Sequence, residues 1–322
     1  TFPTPHFAMT KAPDRVVNLA DQMGNYFLNP GQAEMMAANT GVGGLASMFI
    51  YPSSIDDLKK ILKYSFKNNI KIFFMGSGSN MLISDDGFNG IVICLRKSFK
   101  NFDYNDSFET IAGTGVMLGQ MVRTLTKNSV KGLESLIGVP GTLGGALIMN
   151  AGAYGSEISN YLVSIKCITL EGNEKIYMKE DLEFSYRYSN IPKNEVVVEA
   201  KFQFQTGDIN EIKINKDKAS QSRRNNQPLQ YRSAGSIFKN PKSGMAAGYL
   251  IDQARLKGLK KGDAEISTKH ANFIINHGSA TSENILDLIK IIKSEVYNKF
   301  KVKLDLEVKL MGFKKEQIEE IA

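Results

Sequence analysis

Three short segments and one glutamate of the 322-residue chain carry side chains whose types could do chemistry. Gly235-Ser236-Ile237-Phe238-Lys239-Asn240-Pro241 sets a hydroxyl, a cation and an amide on one turn, a set able to move a proton and to hold an oxyanion or phosphate. No His or Cys flanks Ser236, so its hydroxyl lacks a local base to make it a nucleophile, and proton donation or plain capping are the readings left open. Tyr186-Arg187-Tyr188 places a guanidinium between two aromatics, suited to gripping a carboxylate with both N–H edges or to stacking on a ring; a structural ion pair is the equal alternative. Gly76-Ser77-Gly78-Ser79-Asn80 follows an apolar run directly, where backbone amides and small hydroxyls could wrap a phosphate. Met81 stands where a Rossmann fingerprint needs its third glycine and no Lys-Ser/Thr pair follows, so a structural tight turn stays open. Glu307 falls on the polar face of an alternating run, and the ordinary reading of such a residue is solvent exposure.

Between Gly132 and Gly155 the chain concentrates seven of its 28 glycines around Pro140 and Asn150. Glycine at that density costs backbone entropy and serves where main chain must approach something closely, either a packed helix or a flat ring carrying a pyrophosphate. The uncharged run from Ser135 to Ser156 is long enough to span a membrane, but its proline and glycines suit a ligand-cradling segment better than a lipid-facing helix.

The elements that must position these residues alternate between helix and strand. Ser53 or Ser54, with Asp56 and Asp57 in the first turn, opens a helix carrying Ile55, Leu58, Ile61 and Leu62 on one face. Strands are expected at Ile70–Met75, Ile91–Leu95, Thr110–Ala112, Tyr161–Leu170 and Val196–Phe204. Thr281-Ser282 begins a second amphipathic helix through Ile285, Leu288, Ile289, Ile292 and Val296, and the alternation from Val302 to Leu310 predicts a final strand. The class is α+β. Residues 1–36 read as an irregular lead-in or a tail appended to the fold, and the polar stretch 206–228 as a separator between two domains.

Composition bounds the function. Cys94 and Cys167 lie apart in apolar runs, as buried thiols of a reducing compartment do, and with only His6, His270 and His277 no metal site is expected. No secretory signal is visible at the start as given, so the cytoplasm is the expected location. A formal charge of +7 favours anionic partners, but the lysines are scattered without interleaved stacking aromatics, which reads as a solvated basic surface rather than a nucleic-acid or membrane face.

Taken together, six ordered stretches resemble the UDP-N-acetylenolpyruvoylglucosamine reductase family. They are Gly76 to Leu82 with Asp86 to Gly90, Gly138 to Ala146, Asn150 to Gly155, Tyr186 to Ser189, Ser233 to Pro241 and Ser267 to Asn276. The resemblance implies a two-subdomain FAD-binding region of vanillyl-alcohol-oxidase type over residues 37–205, divided near residue 100. A smaller α+β substrate-binding domain over 206–322 would follow, its last strand returning toward the active site. It implies non-covalent FAD on Gly76, Ser77, Gly78, Ser79 and Asn80, with Gly138, Pro140, Gly141, Gly144, Asn150, Gly152, Ala153 and Tyr154 along the cofactor.

The same resemblance implies reduction of UDP-N-acetylglucosamine enolpyruvate to UDP-N-acetylmuramate, with NADPH as co-substrate. Arg187 would polarise the substrate carboxylate, Glu307 would stabilise the enol form and Ser236 would deliver the proton. Tyr186, Arg224, Lys239 and Asn240 would reach the substrate, in a monomer that binds neither nucleic acid nor membrane. The short interval from Arg187 to Ser236 matches the family's shorter class, which lacks an inserted tyrosine loop. The competing readings are another flavin oxidoreductase of the same superfamily and a non-catalytic sugar-nucleotide binder.

Overall fold

A computed structural model describes residues 39–242 and 244–321. The expectations for residues 1–36 and for His6 lie outside the described residues. The first unit is built from β1 (Ala46–Ile50), α1 (Ile55–Lys67), β2 (Ile72–Met75), β3 (Met81–Ile83) and β4 (Phe88–Cys94). Ser54 caps α1 by accepting from the Asp57 amide at 3.1 Å, and Leu58, Ile61 and Leu62 are buried on one helical face as the spacing requires. Strands β1, β4 and β2 form a parallel sheet in that order, so its central strand is the near-continuous apolar run Ile91–Cys94.

The second unit carries β5 (Phe102–Tyr104), β6 (Glu109–Gly113), α2 (Leu118–Lys127), α3 (Leu143–Ile148), β7 (Leu162–Thr169), β8 (Glu174–Met178) and β9 (Glu195–Gln203). Its five strands pair antiparallel in the order β8-β7-β9-β6-β5. One face buries Cys167, Ala200 and Phe202 against Met121, Val122, Leu143 and Leu147 of α2 and α3. The other contributes Ile168, Val196 and Val198 to the core beneath α1, which locks the two units together.

The stretch read as a polar separator is instead an 18-residue helix, α4 (Ile209–Asn226). It is almost wholly polar, but Asp208 caps it and it buries Ile212 and Ala219, two turns apart on the face that meets the 3₁₀ turn Glu134–Leu136 and α2. Periodicity was too sparse there to show the helix in the sequence.

The third unit holds α5 (Ala247–Gln253), the antiparallel sheet β10 (Lys260–Lys261), β11 (Ala264–Ile266) and β12 (Ile274–Asn276), and α6 (Ser282–Phe300). Thr281 and Asn284 close a capping box on α6, and Leu286, Leu288, Ile289 and Ile292 pack into a core with Phe238 and Leu250. The expected strand from Val302 to Leu310 is a correction. Only β13 (Lys309–Met311) is strand, and it runs parallel to β3 of the first unit, with Lys309 opposite Met81. Leu304, Leu306 and Val308 still turn inward, so the alternation marks buried positions along an extended segment that pairs with the serine turn through the isolated antiparallel bridge Leu306–Phe238 rather than a full ladder.

Candidate active site

The loop 76–80 leaves the carboxyl end of β2 and is pressed against the glycine-rich segment. Ser79 Oγ donates to the Pro140 carbonyl at 3.0 Å. A Cβ on Gly76 would come within 2.5 Å of Thr142 Oγ1, and one on Gly141, whose φ is +138°, within 3.3 Å of Ser79 Oγ. Ser77 Oγ is enclosed and has no hydrogen-bond partner. A glycine-lined crease with an unsatisfied hydroxyl is the donor set a pyrophosphate needs, so the residues present fit the phosphate end of a dinucleotide.

Asn150 is fully buried at a φ of +42°. Its amide donates to Glu157 Oε2 at 2.6 Å and to the Ser185 carbonyl at 3.1 Å, while its oxygen accepts from the Ser159 amide at 3.4 Å. All its polar atoms serve the protein, so it shapes the turn that presents Gly152, Ala153 and Tyr154. Those three line a cavity of about 210 Å³ with Arg187 and Arg223.

Arg187 stands at a φ of +55° in the tight link between two short paired strands, with its guanidinium 5.1 Å from the Tyr186 ring. Its Nε donates to Glu307 Oε1 at 2.8 Å, and the two side chains are 23% and 15% exposed. The sequence expectation of a solvated Glu307 is therefore corrected: the carboxylate is turned in toward a cation. Asn80 Nδ2 donates to the Glu307 carbonyl at 3.0 Å, and the Glu307 amide donates to the Ile237 carbonyl at 2.8 Å. One residue thus ties the loop 76–80 to the serine turn.

Ser236 follows Gly235, whose φ of +79° favours glycine, and pairs antiparallel with Phe273. Asn272 fixes the turn by accepting from the Phe238 amide at 2.9 Å and donating to the Phe238 carbonyl at 2.8 Å. Asn240 Oδ1 accepts from the Ala247 amide at 3.0 Å, and its own amide donates to Tyr186 Oη at 3.4 Å, which brings Tyr186 to the same edge.

Burial pushes the Glu307 carboxyl up, and the cations Arg187, Lys239 and Lys309 hold it back. Burial lowers Lys309, and its neighbours Lys239 and Lys193 lower it further. Arg223 is lowered by burial and by Arg187, and its Nη1 is enclosed without a partner. Arg187, Lys239 and Lys309 thus surround the Glu307 carboxyl, with Arg223 beside Arg187, a positive balance able to attract an anion.

Arg224, expected to reach the substrate, lies exposed on the outer side of α4, where it donates to Gln221 Oε1 at 3.1 Å. The neighbouring Arg223 lines the cavity instead. Helical spacing from buried Ala219 selects position 223, a signal available once α4 is recognised as a helix. Lys309 lies two residues beyond Glu307, where alternation puts it on the same side.

A parallel sheet with a glycine-lined loop at its carboxyl edge, and a largely buried acid paired to a guanidinium at the far end of that loop, suit a dinucleotide-dependent oxidoreductase. The known proteins agree. Residues 46–175 match the FAD binding domain, and residues 227–311 match the C-terminal domain of UDP-N-acetylenolpyruvoylglucosamine reductase. The reductase of Clostridioides difficile is 43% identical over 272 residues, 84% of this chain and 89% of that protein. That of Clostridium tetani is 40% identical over 302 residues, 93% and 97% of the two chains. The crystal structure of the Thermus caldophilus reductase superposes with a TM-score of 0.74 at 32% identity, covering 85% of this chain and 95% of that one. The chain belongs to the UDP-N-acetylenolpyruvoylglucosamine reductase family and is an FAD-dependent reductase of peptidoglycan precursor synthesis.

Proposed function

We propose that this enzyme converts UDP-N-acetylglucosamine enolpyruvate to UDP-N-acetylmuramate, taking its electrons from NADPH. FAD, when bound, would supply the redox chemistry that carries a hydride from NADPH to the terminal carbon of the enolpyruvyl group. Ser77, Ser79 and the backbone of 76–80 would hold its pyrophosphate, with Gly138, Pro140, Gly141, Gly144 and Gly152 to Tyr154 lining the rest of the cofactor. Hydride arrival builds negative charge on the enolpyruvyl carboxylate side, where Arg187 stands ready. Glu307, pushed toward its protonated form, donates to the enol oxygen, and Ser236 gives the proton to the adjacent carbon. Arg223, Lys239, Asn240 and Tyr186 bind the sugar diphosphate.

The Arg187–Glu307 pair at 2.8 Å, joined through the Glu307 backbone to both the phosphate loop and the Ser236 turn, carries this reading. It acts as a cytoplasmic monomer that engages neither membrane nor nucleic acid. Among the described residues no helix is long and apolar enough to cross a membrane. Purified enzyme loaded with FAD should sustain NADPH oxidation beyond the single equivalent that reduces its flavin only when the enolpyruvyl nucleotide is added, one for one. Sustained oxidation with oxygen as the sole acceptor would contradict the assignment.

A further inference from the structure

The phosphate loop has a direction. Its Asn80 end touches Glu307, through Asn80 Nδ2 to the Glu307 carbonyl at 3.0 Å and the Lys309 amide to the Asn80 carbonyl at 3.0 Å. Its Gly76 end touches the close of β4, where Cys94 Sγ donates to the Gly76 carbonyl at 3.2 Å. A dinucleotide laid along the loop with its reactive ring at Glu307 therefore sends its other half past Gly76 toward the residues that follow Cys94.

Those residues are Arg96 and Lys97. Both are exposed and both are gathered on Tyr51, the residue that follows β1. Arg96 Nη2 donates to Tyr51 Oη at 3.2 Å, and Lys97 Nζ stands 4.1 Å from the centre of the Tyr51 ring. The turn that carries them is seated on the second unit so closely that a Cβ on Gly115 would meet the Leu95 and Ser98 carbonyls at 2.2 and 2.3 Å. Ser98 Oγ also donates to the Pro52 carbonyl. Two cations are thus held on a fixed backbone at the carboxyl edge of three parallel strands, the edge on which open parallel sheets bind nucleotides. Both cations act on Cys94, the residue that touches the loop, and favour its charged form against the burial that raises it.

We propose that Arg96 and Lys97, oriented on Tyr51, hold the AMP half of FAD and make the site select FAD over FMN. The inference rests on the cofactor direction proposed above.

The test is binding of FAD and of FMN to the apo-protein, followed by quenching of flavin fluorescence. The Arg96→Gln/Lys97→Gln double variant should bind FAD about ten-fold more weakly, with a shallower salt dependence, and FMN within about two-fold of the parent. Tyr51→Phe, which removes the hydroxyl that accepts from Arg96, should weaken FAD less, and Lys100→Gln should change neither flavin. Equal weakening of FAD and FMN, or no change in either, would overturn the proposal. If the cofactor direction were itself wrong, the double variant would weaken FMN more than FAD, and the Glu307 variants would leave substrate reduction intact.

Discussion

The Nε of Arg187 and Oε1 of Glu307 lie 2.8 Å apart although 120 residues separate them in the chain. Neither stays where local rules would leave it. Arg187 is held at a positive φ, and the polar side of the alternating run that carries Glu307 meets protein rather than solvent. The pair closes the site across two units.

Glu307 should govern the alkaline side of substrate reduction. Burial raises its folded-state value above that of the unfolded chain, so its contribution to stability is present below the ordinary carboxylate range and lost as pH rises through the raised value. The rate of flavin reoxidation by the enolpyruvyl nucleotide should fall over the same window. Glu307→Gln should lower that rate by about two to three orders of magnitude and abolish this limb. Arg187→Ala removes an opposing cation and should move the limb further up, and an unchanged profile in either variant would count against the assignment.

Gly76 should be intolerant of even one methyl group. A Cβ there meets Thr142 Oγ1 at 2.5 Å, so Gly76→Ala should cost about ten-fold or more in FAD affinity. Thr142→Ala removes the obstructing atom, and the double variant should recover part of the loss. Flavin fluorescence titration checks both, and no recovery would place the cause elsewhere.

Neither thiol should react in the native protein. Burial pushes Cys167 up to about 12, and Cys94, also buried, is raised as well. At pH 8 a disulfide reagent such as DTNB should release two equivalents only after denaturation, and prompt labelling of the folded enzyme would contradict the packing.

Asp85 should tie the third unit to the first. Its Oδ2 accepts from the Ser282 amide at 2.7 Å and from Ser282 Oγ at 2.9 Å at the start of α6, and its Oδ1 from the Gly43 amide at 3.2 Å. Asp85→Ala should cost about 1–2 kcal/mol, read as a drop in the thermal midpoint of the FAD-bound protein. Loss of less than about 0.5 kcal/mol would mean that water replaces the carboxylate.

Much of this was legible in the residues. The cap at Ser54, the stripe from Leu58 to Leu62 and the helix start at Thr281-Ser282 are local signals, and the elements form where those signals sit. The crease between loop 76–80 and Gly141 was visible as glycine density, because close approach of main chain leaves a compositional trace. Two things were hidden. Helix α4 is held by two buried apolar residues, Ile212 and Ala219, packed on the second unit, too few to make a periodic pattern, and that concealed Arg223. The inward turn of Glu307 depends on a partner 120 residues away, and alternation alone assigns faces without saying which face meets protein.

The most direct measurement is stopped-flow of the two half-reactions with Ser236→Ala. Reduction of the bound flavin by NADPH should proceed within about two-fold of the parent, while reoxidation by UDP-N-acetylglucosamine enolpyruvate should slow by about two or more orders of magnitude. Equal slowing of both steps, or no slowing of the second, would contradict a proton delivered from Ser236 beside Glu307.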